Sequence, residues 1–200
     1  METRELWIQA LTNTGVVLLS IVLVGLLINL LQQSIGQALA NGFGADFANK
    51  FMNRLTFIGV VHHELSHALF AFLTGAKIIK MNLFKPDEKT DSLGSVTYAA
   101  RGPIILRAIQ LTFASIAPVI CGFISCFLIY KYLLFGAVWR WILFGFIMLC
   151  IIIHMNLSPQ DIKVALMGSP VVIIIMISIF YVTQFDLIGY TCQEIVSHFS

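Results

Sequence analysis

Three residues in the first half of the chain have the types and the spacing of a hydrolytic metal site. They are His63, Glu64 and His67, within the run His-His-Glu-Leu-Ser-His. On an α-helix, residues four apart lie about one turn apart on the same face, so both imidazoles can reach a single metal ion. Glu64 stands beside the first histidine, where it can contact a water molecule at the metal without being a ligand. The pattern predicts a zinc site in which Glu64 is the catalytic general base.

The surroundings of this motif distinguish it from a chance cluster. Between Arg54 and Lys77 the segment has one formal charge, which is Glu64. An ionisable residue near the middle of a membrane costs at least about 2.5 kcal/mol, so such residues usually serve a function. The alternative is a buried hydrogen-bond cluster without a metal. We favour one Zn²⁺ per chain, with His63 and His67 as ligands, because an acid and two histidines occur together here.

A catalytic zinc site needs a third protein ligand and an open position. The downstream glutamates, Glu88 and Glu194, both lie outside the predicted spans. The remaining candidates are Asp161 and, as an alternative, His154. His154 matches the membrane depth of the histidine motif, whereas Asp161 requires the chain to bend or unwind near Pro159. The residues alone leave both candidates open.

The composition predicts an all-α polytopic membrane protein. Of 200 residues, 58% are hydrophobic and 11% are charged, and the mean hydropathy is +0.91. A net charge of +2 is too small and too dispersed for a nucleic-acid partner, and the lipid bilayer is the expected surrounding. Residues 1–200 are predicted to form a single membrane domain. About five transmembrane helices are expected, over residues 14–32, 55–76, 108–130, 140–159 and 168–185.

A polar excursion over residues 77–98 separates the second and third predicted spans. Two β-prone runs, Lys77 to Phe84 and Leu93 to Tyr98, flank a turn-forming sequence and predict a β-hairpin-like, membrane-associated segment. Its second strand can bind an extended substrate by strand addition, which makes Gly94, Ser95 and Val96 candidate substrate-binding residues. The alternative is a plain amphipathic hairpin at the membrane interface.

The distribution of basic residues predicts the orientation. With five spans, the N-terminus, the hairpin, the residues before Arg107 and the region around Lys163 share one side. That side carries eight Lys and Arg residues against four on the other. By the positive-inside rule the N-terminus is predicted to be cytoplasmic and the C-terminus outside, in a bacterial plasma membrane.

A second motif lies towards the end of the fourth predicted span. It reads Asn156-x-x-Pro159 followed by Asp161, and with the histidine motif it resembles the site-2 protease family of intramembrane zinc metalloproteases. The resemblance covers about residues 57–163 and implies a three-helix catalytic core over about residues 55–163. It also implies that Asp161 is the third zinc ligand. Asp161 follows Asn156 at a shorter interval than is usual in the family, and isoleucine replaces the glycine that normally follows.

The predicted function is therefore an intramembrane zinc metalloprotease that takes part in regulated intramembrane proteolysis. It would hydrolyse a peptide bond of a transmembrane or membrane-associated protein or peptide near the cytoplasmic face, with Glu64 acting on zinc-bound water. Asn156 is expected either to bind the substrate backbone or the oxyanion, or to stabilise an unwound turn. The alternative functions are a non-catalytic zinc-binding membrane scaffold or receptor and, with less support, a zinc transporter.

Overall fold

The computed structural model describes residues 3–83 and 94–199, except for the side chains of residues 194, 195, 198 and 199. The described chain is mostly helical, with one pair of strands. The helices and strands are α1 (Thr3–Phe43), α2 (Ala45–Lys50), α3 (Phe57–Leu73), β1 (Lys77–Asn82), β2 (Ser95–Ala99), α4 (Ile104–Leu128), α5 (Val138–His154), α6 (Pro159–Thr183) and α7 (Leu187–Phe199). Two π-helical turns, Phe51–Leu55 and Ile129–Leu133, precede α3 and extend α4.

Three helices in the described ranges are long and apolar enough to cross a membrane. They are Thr3–Phe43, Ile104–Leu133 (α4 with its π-helical turn) and Pro159–Thr183. The helices α3 and α5 are also apolar but have only 17 residues each. The helices therefore indicate a membrane protein. The prediction of a mainly helical chain with a small two-stranded sheet after the histidine helix is confirmed.

Contacts along α4 show the direction in which α5 and α6 run. The neighbouring pairs are Leu134 with Gly145, Gly122 with Met155, Thr112 with Ala165, and Ala108 with Gly168. The second number of each pair rises steadily as the first falls, so α5 and α6 pass α4 in the same direction. Residues 155–158 thus interrupt a helical passage without reversing it.

The start of α1 lies beside the end of α6. Trp7 stacks on Tyr181 with ring centroids 4.4 Å apart, and the side-chain amide of Asn13 donates to the carbonyl of Phe185 at 2.7 Å. The five-span prediction, with a cytoplasmic N-terminus and an outer C-terminus, separates these ends across the membrane. The structure differs because no reversal occurs between α5 and α6, which the sequence analysis treated as two successive crossings.

The boundary between α5 and α6 also differs from the predicted spans 140–159 and 168–185. The helix α5 ends at His154, and α6 already begins at Pro159. Ser158 caps α6: its hydroxyl accepts the Asp161 N–H, and the Asp161 carboxylate accepts the Ser158 N–H. Proline is favoured at the first position of a helix, so this local sequence starts a new helix and places Asp161 in its first turn.

The two strands pair antiparallel where the hairpin was predicted. Lys77 lies opposite Ala99 and Asn82 opposite Ser95, and a bulge occurs at Ile79. The ends of the predicted runs at residues 84 and 93 lie outside the described residues. In the described part of the chain, β2 has no strand partner other than β1, so its second edge is available to other groups.

A buried glutamine holds both ends of the hairpin on α4. The Gln110 side chain is fully buried, its carbonyl oxygen accepts the Arg101 N–H at 2.7 Å, and its amide donates to the Thr74 carbonyl at 3.0 Å. Thr74 follows α3 and Arg101 follows β2. One side chain thus fixes the position of the hairpin relative to α3 and α4.

Replacing Gln110 with leucine is expected to destabilise the protein. The substitution leaves the Arg101 N–H and the Thr74 carbonyl without their partner, at a cost of about 1–3 kcal/mol. Thermal unfolding of the purified protein in detergent should show a clear drop in melting temperature. The control is Gln37→Leu at an exposed site on α1, and an equal effect of both substitutions would contradict the tethering role.

Candidate metal centre

The two motif histidines lie on one face of α3. The rings of His63 and His67 meet edge to face with centroids 4.7 Å apart, and their Nε2 atoms are 3.1 Å apart. His62 faces elsewhere, since its Nε2 lies 2.9 Å from the Ser125 hydroxyl on α4. The one-turn spacing in the sequence therefore brings two imidazole nitrogens together.

Main-chain carbonyls orient both rings. The Nδ1 atom of His63 lies 2.6 Å from the carbonyl oxygen of His154, and that of His67 lies 2.7 Å from the carbonyl oxygen of Ala114. A carbonyl can only accept, so each Nδ1 carries the proton and donates it. In a neutral ring with this tautomer, Nε2 carries the lone pair, which is the form that binds a metal.

A close contact between helices allows the His63 interaction. Gly59 lies one turn before His63 and faces α5, where a Cβ would come within 2.1 Å of the Cys150 carbonyl oxygen. Any larger residue would push α3 away from α5. The glycine thus brings His63 within reach of the end of α5.

The first turn of α6 places a third candidate ligand, Asp161, beside the two histidines. Asp161 Oδ1 lies 3.4 Å from His67 Nε2, and Asp161 Oδ2 accepts hydrogen bonds from the Ser158 N–H at 2.9 Å and the Ser158 hydroxyl at 2.5 Å. One oxygen is therefore fixed by the helix cap while the other faces the histidines. The cap that starts α6 also orients this carboxylate.

The group of His63, His67 and Asp161 could hold a metal ion. One potential ligand atom from each residue lies within 4.8 Å of the other two. Two ligands of a tetrahedral zinc ion with bonds of about 2.0–2.1 Å lie about 3.3 Å apart, close to the 3.1 and 3.4 Å seen here. When both rings are neutral, three hydrogen-bond acceptors converge here, and a cation between them would balance their mutual repulsion.

His154, the alternative third ligand, does not belong to this group. Its ring nitrogens lie 3.0 Å from the Cys150 carbonyl oxygen and 3.2 Å from the Met52 carbonyl oxygen. The side chain joins the end of α5 to the π-helical turn before α3. His154 contributes to the site through its main-chain carbonyl, which orients His63.

Glu64 packs against the start of β2. A Cβ on Gly94 would come within 2.7 Å of Glu64 Cγ, and the Val96 N–H donates a hydrogen bond to the Glu64 carboxylate. Gly94 and Val96 were predicted to bind substrate, and the structure adds a role in positioning Glu64. Tyr98, further along β2, hydrogen-bonds Ser115 at 3.3 Å, and burial raises the pKa of its phenol.

A cavity of about 920 Å³ opens beside the group. It is bounded by α3, by β2 and by the segment between α5 and α6. The predicted substrate-binding residues that line it are Gly94, Ser95, Val96 and Asn156. The cavity therefore brings together Glu64, the possible metal ligands and an edge of β2 that has no strand partner in the described part of the chain.

The N-terminal helix also lines this cavity, which the sequence analysis did not predict. Gln32 of α1 accepts a hydrogen bond from the Asn156 side-chain amide at 2.5 Å. Its signal in the sequence is a pair of adjacent glutamines at positions 32 and 33 within a long apolar stretch. The predicted core of residues 55–163 left α1 out.

Comparisons with known proteins give no relative of this chain: no family model, no curated protein and no solved structure matches it. The chemistry of the site has to be inferred from its own residues.

Metal binding separates the roles of Asp161 and His154. We expect Asp161→Ala to weaken zinc binding by about 100-fold or more. Loss of a residue that only orients a ligand commonly lowers metal affinity by about 10–100-fold, and loss of a ligand itself should lower it at least as much. His154→Gln should retain zinc, since the main-chain carbonyl that orients His63 remains. Zinc content after dialysis against a weak chelator measures both. Loss of zinc in the His154 variant with retention in the Asp161 variant would reverse the assignment.

Proposed function

We propose that this protein is an intramembrane zinc endopeptidase of the site-2 protease type. The observation that carries the proposal is the convergence of His63, His67 and Asp161, with Glu64 beside them, on a cavity bounded by the edge of β2 that has no strand partner among the described residues. A structural metal site has no need of an adjacent carboxylate and a cavity of this size. This combination favours catalysis over a scaffold or a receptor.

Zinc is the metal we assign to the group. Two imidazole nitrogens and one carboxylate oxygen are common zinc ligands, and three protein ligands with an open position are typical of catalytic sites. When bound, zinc would polarise the substrate carbonyl and make a water molecule more acidic. His63 and His67 are prepared for this role because the carbonyls of His154 and Ala114 fix their tautomers.

Glu64 would act as the general base. It would take a proton from the attacking water and return it to the amine that leaves when the peptide bond breaks. The Val96 N–H and the close contact with Gly94 restrict the positions that the carboxylate can adopt. Holding the base in place in this way lowers the cost of reaching the reactive geometry.

The substrate would be an extended segment of a membrane-anchored protein or peptide. A helical peptide satisfies its carbonyls within its own backbone, so it must unwind before hydrolysis. In the described part of the chain one edge of β2 lacks a strand partner. Apart from the Val96 N–H, which bonds Glu64, this edge can hold an unwound chain by main-chain hydrogen bonds. The Asn156 carboxamide lies on the cavity wall to receive a substrate peptide group.

The charges suggest which side faces the cytoplasm. The start of α1, the base of the hairpin and the end of α6 lie towards the same side, and this side includes Arg4, Lys77, Lys80, Arg101 and Arg107. By the positive-inside rule we assign this side to the cytoplasm, and the end of α6 with it.

Glu64→Gln should separate catalysis from metal binding. The amide cannot accept the proton, so cleavage of single-span reporter proteins and signal-peptide remnants should fall by about 100-fold or more. Zinc content should stay at the wild-type level because Glu64 is not a ligand. Glu5→Gln, at an exposed position on α1, is the matched control.

Two results would contradict the proposal. Cleavage that survives Glu64→Gln would rule out Glu64 as the base. Stoichiometric zinc in a wild-type protein that cleaves none of these substrates, but moves zinc into liposomes, would favour the transporter.

A further inference from the structure

We propose that Gln32 of α1 is a positioning residue for the catalytic centre, and this inference rests on the proposed function. Gln32 holds Asn156, and through Asn156 it fixes the non-helical residues 155–158 that lead into Asp161. The N-terminal helix is then part of the active site rather than only a membrane anchor.

The segment between α5 and α6 depends on its neighbours for its shape. Residues 155–158 lie outside both helices and lack a helical ladder of their own. Met155 packs against Gly122 of α4, and Leu157 packs against Gly25 of α1, where a Cβ would come within 2.6 Å of the leucine side chain. Met155 and Leu157 are buried. The segment is therefore held between α4 and α1.

Gln32 adds the polar contact on the α1 side. It lies seven residues after Gly25, which is about two helical turns, so both face the same direction. Its carbonyl oxygen accepts the Asn156 amide at 2.5 Å. This bond fixes which way the Asn156 carboxamide points, and both side chains line the cavity.

The position of this segment matters for the metal centre on both sides. Immediately before it, the His154 carbonyl orients His63, and at its end Ser158 orients Asp161. A shift of the segment would therefore disturb one ligand through its hydrogen-bond partner and another through its helix cap. Outer residues that orient ligands commonly change metal affinity by 10–100-fold.

The neighbouring glutamine provides a matched control. Gln33 is exposed and donates to Asn29 within α1 at 3.3 Å. It has the same chemistry and the same helical surroundings as Gln32, but it does not line the cavity. A difference between substitutions at the two positions therefore reports on the side of α1 that faces Asn156 and the cavity.

The experiment follows the rate at which the full-length protein, loaded with zinc in detergent, loses the metal to a coloured chelator. We expect Gln32→Leu and Asn156→Leu each to speed zinc loss about tenfold. The double variant should be no faster than either single variant, because both remove the same bond. Gln33→Leu should match the wild type.

An exchange of side chains tests the contact without deleting it. Gln32→Asn shortens one partner by a methylene and should speed zinc loss, and adding Asn156→Gln should restore the wild-type rate because the combined length is conserved. If Gln32→Asn acted only by destabilising the protein, the second substitution would not restore the wild-type rate of zinc loss. The milder Gln32→Asn change also keeps the test valid if the leucine variant fails to fold.

The possible results are distinguishable. A wild type that holds zinc, with Gln32 variants that lose it no faster than Gln33→Leu, would overturn the positioning role and leave the proposed function intact. Failure of the exchanged pair to restore zinc retention would also overturn it. A wild type that binds no zinc would overturn the proposed function and this inference together.

Discussion

The break between α5 and α6 is the constraint on which the rest of the site depends. If the helix continued past His154, the carbonyl of His154 would accept the N–H four residues along its own helix and would be less available to the His63 ring. Because the helix stops there, that carbonyl is free to orient the histidine. Four residues later Ser158 and Pro159 start a new helix, whose first turn presents Asp161 to His67. Termination of one helix and capping of the next thus serve the same centre.

The sequence predicted the parts of the site that are set by local spacing. His63 and His67 share a helix face because four residues make about one turn, whatever surrounds the helix. Relating Asp161 to them requires knowing how the chain bends between α5 and α6, and spacing along the sequence does not determine this. Because this bend cannot be read from the spacing, the predicted number of crossings also differs from the observed path of α5 and α6. A polar, proline-containing stretch between two apolar segments is typical of a turn outside the membrane, but it can equally be a break within one helical passage, as residues 155–158 are here.

Polar residues in the apolar helices mark more sites than the histidine motif alone. Glu64 was treated as functional because a charge inside the membrane is costly. The same reasoning applies more weakly to amides, which need hydrogen-bond partners when water is absent. Gln110 holds the hairpin, Asn13 bonds the end of α6, and Gln32 bonds Asn156. Each lies on a helix and bonds a distant part of the chain, so their presence could have been predicted to mark contacts, although the identity of each partner could not.

The site consists of two parts that belong to different units of the fold. His63, Glu64 and His67 lie on α3, and the hairpin that positions Glu64 is tied to the end of α3 through Gln110. Asn156, Ser158 and Asp161 lie on the broken passage, which α1 and α4 hold in place. Polar contacts between the two parts include His63 with the His154 carbonyl, and His67 with Asp161. A metal ion bound by both parts would join them directly, and since it binds only the assembled form it would stabilise the relative position of Glu64 and the cavity wall. In such an arrangement, metal binding and the position of Glu64 relative to the cavity wall depend on the same few contacts.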